Sequence, residues 1–180
     1  MSGLVVIGAS YAGIQAALAA RDSGYAERIT VIADEHSLPY QRPPLSKDFL
    51  LDKVTRDGLV LRDEAFFKLK QIDLMLETRV HAIDRHTRRV SINGNNATIG
   101  FNKLFIGTGS HPRRLTVPGA DLDGVCYLRS IVDAVDLKDR LKNAAEIVVI
   151  GGGFIGLEVA ASASKLGKKV TLIENASRLL

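Results

Sequence analysis

The sequence predicts an α/β protein built around two strand–turn–helix–strand units, and three observations carry that prediction. An apolar run at residues 4–7 leads into Gly8-Ala9-Ser10-Tyr11-Ala12-Gly13 and then into a helix of small residues. The same order returns at residues 147–150, followed by Gly151-Gly152-Gly153-Phe154-Ile155-Gly156. An acidic residue then follows each unit's second strand, Asp34-Glu35 in the first and Glu174 in the second. Together these are two Rossmann-like dinucleotide fingerprints in the context that makes such a motif specific. The first glycine allows the tight turn, the second lets backbone approach a pyrophosphate, and the third lets helix and strand touch while the helix N-terminus faces the phosphates. Only Ser10 departs from the pattern, and serine is small enough to keep the approach open.

The elements follow in order. Residues 4–7 read as a buried parallel strand, 14–20 as a helix ended by Gly24, and 28–33 as the strand that closes the first βαβ unit. Residues 36–46 hold Pro39, Pro43 and Pro44 and are expected to form an extended loop, with a short helix starting at a Ser46 cap. A helix at 62–70 and a strand at 72–76 come next. Stretches at 79–84, 88–93 and 97–101 read as an antiparallel meander, with turn chemistry at 85–87 and 93–96. Residues 103–106 read as a separate buried strand ending in Gly107-Thr108-Gly109, and 112–118 as a linker. A helix at 130–142 precedes the second unit, whose last strand is 169–174. That unit has room for only two strands before Leu180, so the sequence reads as the amino-terminal part of a longer protein, with domains at 1–110 and 111–180.

Composition narrows the function. At 180 residues and 46% hydrophobic, the chain suits a soluble globular class. Cys126 is the one cysteine, which excludes an intrachain disulfide, a redox dithiol or a cysteine-rich metal site, so redox chemistry must come from a cofactor. No metal site is expected. The net charge of +4 is too diffuse to argue for nucleic acid, and the basic clusters at 85–89, 113–114 and 165–169 read as solvated faces. No apolar run approaches the roughly 20 residues of a membrane span, and no signal pattern opens the sequence, so a cytoplasmic protein is expected.

The two fingerprints, the loop Leu38-Pro39-Tyr40-Gln41-Arg42-Pro43-Pro44-Leu45-Ser46-Lys47 and the strand end Leu104-Phe105-Ile106-Gly107-Thr108-Gly109 resemble the FAD-dependent ferredoxin reductases of bacterial oxygenase and cytochrome P450 systems. The resemblance spans the whole chain. It implies that Gly8, Ser10, Tyr11, Ala12 and Gly13 hold the FAD pyrophosphate, and that Asp34 or Glu35 holds the adenosine ribose. It also implies that Val80 meets adenine through its main chain, and that Arg42, Lys47, Thr108, Gly109 and Arg129 contact the cofactor. Gly151, Gly153, Phe154, Ile155 and Gly156 would cradle NAD. Glu174 would accept bonds from its ribose and repel a 2′-phosphate, which favours NADH. A carboxylate such as Glu158 on the inner face of an apolar helix needs a cationic partner, and the resemblance places Lys47 there, so the two are expected to pair beside the flavin. The implied reaction passes electrons from NADH through FAD to a [2Fe–2S] ferredoxin. Alternatives are an enzyme resembling monodehydroascorbate reductase and a non-catalytic flavoprotein resembling apoptosis-inducing factor.

Overall fold

The computed structural model describes residues 3–94 and 97–180. The chain divides into two compact units: Met1–Gln41 with Val60–Ser110, and Arg42–Leu59 with His111–Leu180.

In the first unit β1 (Gly3–Ile7), α1 (Tyr11–Asp22) and β2 (Ile29–Ile32) form the expected βαβ turn. They are followed by α2 (Glu64–Leu69), β3 (Ile72–Met75), β4 (Val80–Asp84), β5 (Arg89–Ile92) and β6 (Ala97–Ile106). The six strands make one sheet in the order β3-β2-β1-β6-β5-β4. β1 lies inside this order and is buried along its whole length. Its alternation serves two cores. Leu4 and Val6 pack with Ile14, Ala17, Val31 and Phe67, while Val5 and Ile7 pack with Ile32, Val90, Ile92 and Phe101. Burying each such aliphatic side chain contributes about 1.5–3 kcal/mol, so the turn after β1 stands on a firmly anchored strand.

Two expectations need correction. Residues 97–101 and 103–106 are one strand, not two: β6 pairs antiparallel with β5 through Gly100 and parallel with β1 from Phe101 onward. Asn102, between the two stretches, turns outward and donates to Glu27 at 2.7 Å, so the strand runs on. The turn expected at 93–96 lies partly outside the described residues.

The second correction concerns the proline loop, whose short 3₁₀ turn spans Pro43–Ser46 and ends at Ser46 instead of starting there. Two prolines open it because their φ is already close to helical and a first-turn N–H has no intrahelical partner to lose.

The second unit contains this turn, α3 (Ile131–Asn143), β7 (Glu146–Ile150), α4 (Phe154–Lys165) and β8 (Lys169–Ile173). Ser130 and Asp133 form a reciprocal capping box at the start of α3. β7 and β8 pair in parallel, Ile147 opposite Val170. Residues 42–59 lie within the sequence span of the first unit yet pack with the second: Leu50 shares a core with Leu141, Val159 and Ala163. Lys138 of α3 ties the same segment down, 2.5 Å from Asp52 and over the Phe49 ring.

Candidate nucleotide-binding sites

In the first unit the strand-to-helix turn is closed by backbone. Gly8 has φ +102°, and its N–H donates to the Ile32 carbonyl at 2.8 Å. A Cβ there would lie 2.2 Å from the Gly107 carbonyl oxygen, and one on Gly13 would lie 1.8 Å from the Gly8 oxygen. Strand ends and helix therefore meet at van der Waals limits, which only glycine permits. Ser10 is the N-cap of α1 in extended conformation, and its hydroxyl makes no capping bond. Tyr11 and Ala12 open the helix on its exposed side. The cradle fits a pyrophosphate because its glycines let strand and helix close tightly, which leaves the first-turn N–H groups of α1 at the open end of the turn with the positive end of the helix dipole.

The nearby acids differ in their commitments. Glu35 accepts a hydrogen bond from the buried Tyr40 hydroxyl at 2.6 Å, whereas the exposed Asp34 has only a loose ion pair with Arg79, at 3.5 Å. Val80 opens β4, opposite Ile92. Thr108 and Gly109 are exposed just past β6, with Gly109 at φ +72°.

The second cradle repeats the plan. Gly151 has φ +108° and donates to the Ile173 carbonyl at 2.8 Å, and a Cβ on Gly156 would lie 2.0 Å from the Gly151 oxygen. Gly153 is the N-cap of α4, and Phe154 and Ile155 are exposed on its first turn. Glu174 follows β8 directly. Its carboxylate accepts from the Gly152 N–H at 2.5 Å and the Ala176 N–H at 2.8 Å. Those bonds, from Ala176 first and then Gly152, hold the Glu174 carboxyl below its ordinary value.

Also within the second unit, Lys47 and Glu158 meet as the sequence led us to expect, with Nζ 3.0 Å from Oε1. Glu158 is half-buried rather than enclosed. The Ser46 hydroxyl, donating to Oε2 at 2.5 Å, and then Lys47 hold its carboxyl below the ordinary value against the opposing effect of burial. Arg42 and Arg129 are brought together as well. The Arg42 guanidinium donates to the Arg129 carbonyl at 2.9 Å, and the Arg129 N–H is fixed by Asp133 at 3.0 Å.

Sequence reasoning missed Gly107, Tyr40, Ser46 and Ser162. The first three stand inside the motifs already singled out. Ser162 lies four residues after Glu158, and hence on the same face of α4, a spacing that could have found it.

A search of protein families matches residues 2–180 to the family described as pyridine nucleotide-disulphide oxidoreductase. The chain belongs to that family. Among its members the chain is similar to a rubredoxin-NAD(+) reductase of Pseudomonas putida, with 42% identity over 98% of this chain and 46% of the relative. It is also similar to a rhodocoxin reductase of Rhodococcus erythropolis, with 43% identity over 97% of this chain and 41% of the relative. Among solved structures, the ferredoxin reductase for the CYP199A2 system from Rhodopseudomonas palustris superposes with a TM-score of 0.95 at 39% identity, covering 99% of this chain and 44% of that one. The chain therefore spans less than half the length of these relatives. Although the family is named for a disulphide, Cys126 is the chain's one cysteine, and its thiol is pushed up chiefly by burial. Among the described residues no helix is long and apolar enough to cross a membrane, and no group of His, Cys, Asp and Glu could hold a metal ion.

Proposed function

We propose that this protein is an FAD-dependent NADH:ferredoxin oxidoreductase of the cytoplasm, where NADH is at hand. The observation that carries the reading is the Lys47–Glu158 ion pair on α4, the helix that opens from the second glycine cradle. A structural helix gains little from a half-exposed charge pair, whereas a fixed ammonium beside a nicotinamide site has an electrostatic use. In this reading Gly8, Ser10, Tyr11, Ala12 and Gly13 hold the FAD pyrophosphate. Asp34 takes the ribose hydroxyls, because one Glu35 oxygen is already taken by Tyr40. Val80, Thr108 and Gly109 line the rest of the cofactor's course over the first unit. Gly151 and residues 153–156 hold the NADH pyrophosphate, and Glu174 accepts from its ribose. Lys47 is the cation assigned to the redox chemistry, with Glu158 orienting it, and Arg42 and Arg129 are assigned to cofactor contact.

When bound, FAD accepts a hydride and releases electrons singly, which suits a one-electron acceptor such as a [2Fe–2S] ferredoxin. The similar ferredoxin reductase of Rhodopseudomonas palustris supports that acceptor. A second reading, rubredoxin as acceptor, is favoured by the 42% identity to the Pseudomonas putida reductase. The test is steady-state turnover of the full-length flavoprotein with NADH, comparing ferredoxin and rubredoxin at equal concentration. The ferredoxin reading expects the larger kcat/KM with ferredoxin, and a preference for rubredoxin would replace it. A full-length protein that purifies without flavin absorption would sink both.

A further inference from the structure

We infer that Ser46 is a positioning residue that holds the Glu158 carboxylate turned toward Lys47. This rests on the reading of Lys47 given above. Ser46 and Ser162 are two of the few buried polar residues of the chain, at 4% and 3% exposure, and a buried hydroxyl has to find partners. Here the partners form a chain of contacts. Ser162 Oγ on α4 donates to the Ser46 carbonyl at 2.8 Å. Ser46 Oγ donates to Glu158 Oε2 at 2.5 Å, and Lys47 Nζ donates to Oε1 at 3.0 Å. Glu158 and Ser162 stand one helical turn apart on α4 and grip the same 3₁₀ turn.

Each oxygen of one carboxylate thus has its own donor. Lys47 alone, on a flexible half-exposed stem, would leave Glu158 free to change rotamer. The Ser46 hydroxyl, donated from a buried and proline-fixed turn, removes that freedom. It also leaves two of the three Lys47 N–H groups for other acceptors. Of the charged groups on the packed elements, Lys47 faces Glu158, while Lys138 of α3 is taken by Asp52.

The decisive measurement is a carbon-13 titration of the glutamate side-chain carboxyls in this chain, with the Glu158 resonance assigned by its loss in Glu158→Gln. Ser46→Ala should move the Glu158 midpoint upward, and Ser46→Thr, which keeps the hydroxyl, should restore it. Ser162→Ala, which removes one anchor of the turn but keeps the Ser46 hydroxyl, should move it by less than Ser46→Ala does. An unmoved midpoint in Ser46→Ala, or an equal shift in Ser162→Ala, would overturn the inference. In the full-length flavoprotein the acidic limb of NADH-driven flavin reduction should shift with Ser46→Ala in the same direction as the midpoint. A moved midpoint with unchanged flavin reduction supports the positioning role and counts against the hydride-transfer reading alone.

Discussion

The two glycine turns are built to one plan but set in different surroundings. In each, the first glycine has φ just above +100° and bonds to the last residue of the unit's second strand, Ile32 or Ile173. That bond fixes the correspondence: Glu174 matches Ala33, so the first unit's acid arrives one residue later, at Asp34. The environments diverge from there. β1 and β2 are buried at every residue, while Val148 and Ile150 of β7 are each 60% exposed and Ile173 of β8 is 52% exposed. Gly8 is pressed against the Gly107 backbone, whereas among the described residues a Cβ on Gly151 would meet nothing within 4 Å. Within this chain the first turn therefore touches a neighbouring strand end as well as its own helix, while the second is held by its bond to Ile173 and by the close approach of Gly156.

The largest expected effect tests that difference directly. Gly8→Ala forces a methyl into a carbonyl group at positive φ and should cost more than about 3 kcal/mol. Gly151→Ala suffers only the left-handed backbone penalty, about 1–2 kcal/mol. Urea unfolding of the two variants measures both, and equal losses would mean that the Gly107 contact is not what separates the turns.

Next in size is the one glycine position of the motif at which the fingerprints differ, Ser10 against Gly153. Ser10→Gly makes the first turn resemble the second and should change FAD affinity by less than about twofold. Ser10→Leu should lower it by tenfold or more, since a branched side chain would fill the phosphate approach. Fluorescence titration of the full-length apoprotein with FAD reads the difference, and full retention by the leucine variant would move the phosphate elsewhere.

The acids come third. Asp34→Ala should weaken FAD binding about tenfold, the effect of one hydrogen bond to a charged group, and Glu35→Ala should do less. In the second cradle Glu174→Ala should narrow the ratio of kcat/KM for NADH over NADPH. A larger loss from Glu35→Ala would reassign the ribose contact.

The smallest effect is a pH dependence shared by Glu158 and Glu174. Both carboxyls are held below their ordinary value, Glu158 by Ser46 and Lys47, Glu174 by backbone N–H groups. A depressed carboxyl contributes stability that is fully present above its unfolded value and is lost as pH falls through the folded one. Glu158→Gln and Glu174→Gln should therefore be less stable than the parent at neutral pH, with the deficit shrinking on acidification below about 4.5. Thermal unfolding across that range checks the sign. A deficit that grows in acid would contradict it.

Much of this molecule was legible because its signals are local. A tight turn needs glycine at fixed offsets, and a buried parallel strand needs an unbroken apolar run. Gly8, Gly13, Gly151, Gly153, Gly156 and the acids at each second strand's end follow from those rules, while Tyr11 and Ala12 rest on the resemblance. Even the Lys47–Glu158 pair was expected, on the resemblance and on the cost of a carboxylate set in an apolar helix face.

By itself, then, the sequence determined the two βαβ turns, their glycines and the nucleotide chemistry they fit, since residues within a few positions of one another fix backbone conformation. Tertiary structure alone decided what depends on packing across long separations. It joined residues 97–106 into one strand, because Phe101 is buried on the core face while Asn102 finds Glu27 outside. It drew residues 42–59 into the second unit, because Leu50 completes a core with Leu141, Val159 and Ala163. It gave Glu35 a hydrogen bond from the Tyr40 hydroxyl, and it set Ser46 against Glu158. The physical reason is common to all four: each is settled by which apolar face closes on which and which buried polar atom then needs a partner, and neither is written in the residues next door.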